Sequence, residues 1–148
     1  MGVVTVAAYE PFLTDAEDHY REQLADVEAR DRDAEVWVAV PDDGDAILGT
    51  ITVCPAGSSW REIGRDGEGE FRMLAVAPDA QGQGVGMALA EMVVDRFRSD
   101  GARGIALSSL ASMAGAHRIY DRLGFHRDPE RDWSPAPGVQ LIAFHKEL

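Results

Sequence analysis

Residues 68–90 read EGEFRMLAVAPDAQGQGVGMALA, and the fold is decided there. Residues 71–77 are almost entirely apolar, the pattern of a strand covered on both faces. Pro78 and Asp79 stop it. Gln81-Gly82-Gln83-Gly84-Val85-Gly86 follows, and then Val85, Leu89, Met92, Val93 and Phe97 recur at helical spacing. Glycines at 82, 84 and 86 leave the loop backbone uncovered, free to turn tightly and to approach a ligand. The loop feeds a helix start, where several N–H groups have no intrahelical partner, a setting that suits phosphate or pyrophosphate. A glycine loop taken alone also fits a plain tight turn. No Lys-Ser or Lys-Thr pair follows Gly86, so this is not a Walker motif. The GxGxG spacing falls one residue short of the dinucleotide fingerprint and does not follow the first strand.

Working outward, residues 104–109 read as the next strand. Met113, Ala116, Ile119, Tyr120 and Leu123 then recur on a helix that Gly124 stops. Phe125 starts a returning strand. Residues 128–138 read as a loop with Pro129, Pro135, Pro137 and a packing Trp133, and residues 139–146 as a final strand. In the other direction, residues 55–69 are rich in glycine and serine, with Trp60 and Ile63 placed to pin them. Residues 46–53 and 35–40 pair as strands across the turn at 41–45. Trp37 reads as core, and Gly49 marks a bulge or a close backbone approach. Residues 14–30 form a helix opened by a Thr14–Glu17 capping box, with Tyr20, Leu24 and Val27 on one face. Arg30-Asp31-Arg32-Asp33 is a polar break. Residues 2–9 fit a short helix or a strand. The order predicts an α/β fold, a mixed central sheet with helices on both faces.

The bulk properties suit a single domain over residues 1–148. The chain is 45% apolar and 27% charged. No run reaches the roughly 18 apolar residues of a membrane span, and residues 1–9 lack the basic start of a signal peptide. One cysteine, Cys54, excludes an internal disulfide and makes a cytoplasmic location the simple expectation. A net charge of −12 argues against a broad nucleic-acid contact surface. It is compatible with cationic partners, or with solubility alone. His19, His117, His126 and His145 lack metal-ligand spacing, so no metal is expected. His117 reads as a surface helix residue and Cys54 as a buried strand residue, not a nucleophile.

Gln81, Gly84 and Gly86 match motif A of the GNAT superfamily, the GCN5-related N-acetyltransferases. Ala116, Tyr120, Gly124 and Phe125 match that family's A-x-x-x-Tyr-x-x-x-Gly-Phe segment. With the two motifs in this order, separated by one helix and one strand, the chain resembles a GNAT protein from about Tyr9 to Leu148. The resemblance favours a helix over residues 2–9, and by its standard an N-terminal strand is missing.

The resemblance implies transfer of an acetyl group from acetyl-CoA to a primary amine, on a small molecule or a protein, and allows a homodimer. It places Gln81, Gly82, Gln83, Gly84, Val85 and Gly86 on the pyrophosphate. The pantetheine arm then lies along Leu74, Ala75 and Val76 in a gap between two strands, with the N–H near Leu74 and Ala75 facing the thioester oxygen. Glu70 matches the acid that assists amine deprotonation, directly or through water, with Glu68 beside it on the acceptor side. Both acids also fit a solvated strand end. Tyr120 matches the acid that protonates the leaving thiolate; its alternative is a core tyrosine. Tyr9 and Phe12 border the acceptor, or pack. Many relatives carry asparagine where this chain has Met113, and Ser109 or Ser112 is placed to supply the polar contact. The competing readings are a non-catalytic acyl-CoA-binding or regulatory module on the same fold, and a nucleotide-binding enzyme of another fold.

Overall fold

The apolar stretch is the central strand of the protein. In the computed structural model, which describes residues 2–13 and 18–148, it runs over Glu68–Val76 (β3) and is buried along all but its last residue. Before it come Gly2–Tyr9 (α1), a 3₁₀ turn at Glu10–Phe12, Asp18–Ala25 (α2), Val27–Asp33 (α3), Glu35–Ala39 (β1) and Gly49–Cys54 (β2). After it come Val85–Ser99 (α4), Gly104–Leu110 (β4), Ala114–Arg122 (α5), His126–Arg127 (β5), Trp133–Ala136 (β6) and Val139–Glu147 (β7). The sheet order is β1-β2-β3-β4-β7-β5, with β6 also on β7. Among the described residues only the β3–β4 pair is parallel, and α4 connects its two strands.

Each sheet face has its own core. Phe71, Leu74, Leu89, Val93, Phe97, Ile105, Leu107, Tyr120 and Phe125 pack together beneath α4 and α5. Ala8, Tyr9, Leu24, Met73, Ala75, Leu110, Met113 and Leu141 pack on the side of α1 and α2. The expected mixed sheet with helices on both faces is what the chain forms.

Two irregularities in β3 shape everything near it. Thr50 pairs with Ala75 and Thr52 with Arg72, so two residues of β3 oppose Ile51 alone. Met73 takes up the extra residue at φ 55°, a left-handed conformation that is costly for a side chain of this size. The bulge breaks the strand's alternation: Phe71 and Leu74, three residues apart, enter the same core. The second irregularity is on the other edge. Pairing with β4 runs from Glu68↔Gly104 to Phe71↔Leu107 and stops, although β3 continues to Val76 and β4 to Leu110. Beyond Phe71 the two parallel strands separate.

Several local expectations change. The helix read over residues 14–30 is broken at Asp26, whose side chain caps α3 by accepting the Ala29 N–H at 3.0 Å. The polar stretch 30–33 lies inside α3, and the Thr14–Glu17 capping box lies outside the described residues. Trp37 is not core: β1 is an edge strand, and the indole is 40% exposed, bonded to Glu35 at 3.0 Å. Residues 128–138 are not all loop, because Trp133–Ala136 pairs with β7. Gly49 does mark a close approach: a Cβ there would lie 2.9 Å from the Ala75 carbonyl oxygen. Gly124 stops α5 at φ 81°, with Phe125 N–H reaching Tyr120 O and Gly124 N–H reaching Asp121 O, a Schellman end.

Candidate active site

The separation of β3 from β4 opens a cleft of about 440 Å³. Leu74, Ala75 and Val76 line one wall. Ala80, Gln81, Gly82, Gly84, Val85, Gly86 and Met87 form one lip, with Ala116, Arg118, Ile119 and Arg122 of α5 opposite. Ala8, Phe12 and Met113 line the part towards α1. The loop is shaped by its glycines. Gly82 and Gly84 stand at φ 78° and 84°, and a Cβ at either would meet no protein atom within 4 Å. Glycine is needed there for backbone angle, and the space beside it stays open. Gly84 is the N-cap of α4 and offers no side-chain cap. The first helical N–H groups therefore keep their donors for an anion. Gly86 serves packing: a Cβ there would lie 2.9 Å from Ile119 Cδ1, so its absence lets α5 approach the start of α4.

Charge sharpens the picture. The chain carries −12 overall, yet among the described residues the only charged side chains on the cleft walls are Arg118 and Arg122. The charged side chains of the cleft are thus positive, opposite in sign to the net charge of the chain.

The acids of β3 lie elsewhere. Glu68, Glu70 and Arg72 alternate along the strand and so share a face. Together they hold the preceding loop by its backbone, in antiparallel order. Arg72 Nη1 donates to Trp60 O at 3.1 Å. Glu70 Oε2 accepts the N–H groups of Glu62, Ile63 and Gly64 at 2.9, 3.0 and 2.9 Å. Glu68 Oε2 accepts the Arg65 N–H at 2.9 Å. Arg72 is also sandwiched between Trp60 and Trp133, 5.6 and 5.9 Å from their rings. Glu68 is further gripped by Arg131, at 2.6 and 3.1 Å, and by His145 Nε2 at 3.0 Å. Burial pushes its pKa up, but the bonds from Arg131 and Arg65 and the charges of Arg131 and His145 outweigh that and hold it at about 2. Glu70 is completely buried, and its Oε1 has no partner among the described residues. Burial raises its pKa against the pull of the three N–H groups and Arg72.

Residues 5–125 match the model of the acetyltransferase (GNAT) family. This chain belongs to that family. It is 31% identical over 143 residues to a mycothiol acetyltransferase of Cellulomonas flavigena, covering 84% of this chain and 40% of that one. To a mycothiol acetyltransferase of Beutenbergia cavernae it is 32% identical over 102 residues, 65% of this chain and 32% of the relative. The chain thus spans about a third to two-fifths of the length of these relatives. The fold matches the crystal structure of a GNAT-family acetyltransferase from Staphylococcus aureus with a TM-score of 0.71 at 16% identity, over 98% of this chain and 89% of the other.

Within this GNAT domain, Leu74, Ala75, Val76, Gln81, Gly82, Gly84, Val85, Gly86, Met113 and Phe12 all line the cleft. Gln83, Ser109, Tyr9, Glu68, Glu70 and Tyr120 do not. Gln83 turns back to Asp79 O at 3.2 Å. Ser109 is buried and held by His117, whose Nε2 lies 3.1 Å from both Ser109 Oγ and Leu110 O. A carbonyl can only accept, so this Nε2 carries the proton. His117 is consequently half-buried and tied to β4, not a free surface residue; burial lowers its pKa. Tyr9 is buried in the second core, and the adjacent Ala8 reaches the cleft instead. Glu68 and Glu70 are neither solvated strand ends nor cleft residues: both are buried, Glu70 Oε2 is committed to the loop, and the Glu68 oxygens to Arg65, Arg131 and His145. Tyr120 is buried with its ring against Phe71, Phe125 and Phe144 at 5.9, 6.1 and 5.5 Å. Phe71 is the last residue of β3 that pairs with β4, so this ring sits beside the point where the strands part. Burial raises the Tyr120 pKa above its ordinary value. The sequence reading did not single out Arg118 or Arg122, and it used Ala116 and Ile119 only as motif and helix-spacing residues, not as cleft walls. The i, i+4 arginines beside the Ala116 and Tyr120 motif were the available signal.

Proposed function

We propose that this protein transfers an acetyl group from acetyl-CoA to a primary amine. The observation that carries the reading is the cleft itself. It lies where the two parallel strands part, between an uncapped glycine-loop helix start and a pair of arginines. Its lining fits the donor. The N–H groups of the loop and of the first turn of α4 hold the pyrophosphate. The pantetheine arm lies against Leu74, Ala75 and Val76, where β3 has left β4; on that edge Val76 O already accepts from Gln81 Nε2 at 3.3 Å. A backbone N–H at Leu74 or Ala75 then meets the thioester oxygen as charge grows there. Tyr120 serves the departing sulfur by donating a hydrogen bond. Its raised pKa keeps the hydroxyl protonated, and it also makes full transfer to a thiolate, of ordinary pKa about 8.5, unfavourable. Hydrogen bonding to the thiolate is therefore its role, rather than surrender of the proton.

Glu70 is assigned to the loop and not to the amine. Its carboxylate is buried, and one oxygen already accepts three N–H groups. The amine enters in its neutral fraction or loses its proton to water, and the rate rises with pH towards the pKa of the acceptor. The acceptor, on a small molecule or a protein, is reached from the side of Ala8, Phe12 and Met113. A panel of amines, alcohols and thiols incubated with acetyl-CoA, with free CoA followed by a thiol reagent and the acceptor by mass spectrometry, tests the reading. Acceptor-dependent CoA release with acetyl on nitrogen supports it. Acetylated oxygen or sulfur with unreactive amines overturns the amine assignment. A second reading, an acyl-CoA-binding module without transfer, is favoured by the absence of a carboxylate on the cleft walls among the described residues. Tight acetyl-CoA binding with no release across the panel selects it.

A further inference from the structure

Arg118 and Arg122 are one helical turn apart on α5, about 6 Å along its axis. Both are exposed, and neither makes an ion pair or side-chain hydrogen bond among the described residues. Arg72, Arg96, Arg127 and Arg131 each hold a carboxylate, and Arg32, Arg65 and Arg103, which hold none among the described residues, do not line the cleft. Between the two free arginines in sequence, Ile119 packs on Gly86 and so brings this turn of α5 to the mouth of the glycine loop. The loop and the uncapped start of α4 already supply backbone donors sufficient for a pyrophosphate. The two guanidinium groups on the facing wall are therefore surplus to it. Two exposed, uncompensated cations in a chain of net −12 lack an internal role.

Resting on the acetyl-CoA reading above, we infer that Arg118 and Arg122 bind the phosphate that coenzyme A carries on its ribose in addition to the pyrophosphate. They thereby select CoA thioesters over pantetheine thioesters that lack this group. Each guanidinium offers paired N–H donors that match phosphate oxygens. At the exposed mouth the contact is screened by salt. It contributes to donor affinity and discrimination, while the reacting thioester lies deeper, along Leu74–Val76.

The test is calorimetric titration with CoA and with dephospho-CoA, which lacks only the ribose phosphate. The proteins are the unaltered chain, Arg118→Gln, Arg122→Gln and the double variant, each checked for fold by circular dichroism. The unaltered protein is expected to prefer CoA by roughly tenfold or more, about 1.4 kcal/mol. The double variant is expected to lose that preference by weakening for CoA while holding dephospho-CoA nearly as before, and added salt is expected to shrink the preference. Equal weakening for both ligands overturns the inference and moves the arginines to the pyrophosphate. Unchanged affinity for both overturns it outright. If the unaltered protein binds dephospho-CoA as tightly as CoA, the selection fails while the donor cleft stands. If it binds neither, the donor reading itself falls, and this inference with it.

Discussion

Ile63 donates its backbone N–H to Glu70 Oε2 at 3.0 Å, and Glu62 and Gly64 donate to the same oxygen. One buried carboxylate oxygen thus closes the loop onto the central strand, as an anion closes the start of a helix. Glu70→Ala strands three N–H groups in a covered site. Each unsatisfied buried donor costs about 1–3 kcal/mol before the loop relaxes to water. A net loss of about 2 kcal/mol or more is expected in urea unfolding, with faster proteolytic cutting in residues 56–66. A variant as stable and as resistant as the parent protein removes the latch.

The two acids of β3 respond to pH with opposite signs. Glu70 has a folded pKa above its ordinary 4.5. The stability tied to its protonated form is full below 4.5 and is lost as pH rises through the raised folded value. Glu70→Gln, which keeps a carbonyl oxygen for the N–H groups and carries no charge, gains stability relative to the parent above that window and loses the advantage in acid. Glu68 has a folded pKa of about 2, so its stability is present above 4.5 and is lost as pH falls towards 2. Glu68→Gln is expected to cost about 3 kcal/mol at neutral pH. That cost shrinks progressively below 4.5. Denaturation midpoints across pH for both variants check the signs. A Glu68→Gln cost that does not fall in acid would detach the effect from the carboxylate charge.

Gly84 separates backbone strain from ligand space. At φ 84° an added Cβ costs about 1–2 kcal/mol of stability. It meets no protein atom within 4 Å, so the fold otherwise accommodates it. The same methyl stands at the N-cap of α4, on the lip of the cleft. Gly84→Ala is expected to fold, with CoA affinity reduced roughly tenfold, about 1.4 kcal/mol. Calorimetry on the folded variant reads this directly. Undiminished affinity separates the glycine loop from the donor.

The elements legible in the sequence were those set by local rules. The strand, the glycine loop, the helix after it and the Gly124 stop each follow from apolar spacing or from backbone freedom. What was not legible depends on distant parts of the chain. Nothing around Glu68 and Glu70 shows that the N–H groups of residues 62–65 fold back onto them, so the two acids read as catalytic or solvated. Trp37 looks like core because alternation does not reveal that β1 has a neighbour on one edge only. Arg118 and Arg122 belong to no motif, and only the packing of α5 opposite the loop puts them on the cleft. The break at Asp26 was written locally, as a side chain able to cap Ala29, but the longer apolar spacing through Leu24 and Val27 masked it.

Tyr120 tests whether the chemistry belongs to this domain. Its ring fills the core beside Phe71, Phe125 and Phe144, and its hydroxyl has no hydrogen bond among the described residues. Tyr120→Phe keeps the ring, so stability is expected to change by no more than about 0.5 kcal/mol. If the hydroxyl donates to the departing sulfur, turnover falls by roughly 10- to 100-fold with little change in CoA affinity, because the bond strengthens as the thiolate forms. Burial holds the hydroxyl protonated above its ordinary range. The parent protein is therefore expected to show no alkaline loss of rate from this group below pH about 10. The two proteins then differ by a constant factor across the accessible pH range, and not by a shifted inflection. Single-turnover measurements fix the rate of the chemical step. Equal single-turnover rates in the two proteins would confine Tyr120 to packing and leave the thiolate to backbone donors or water.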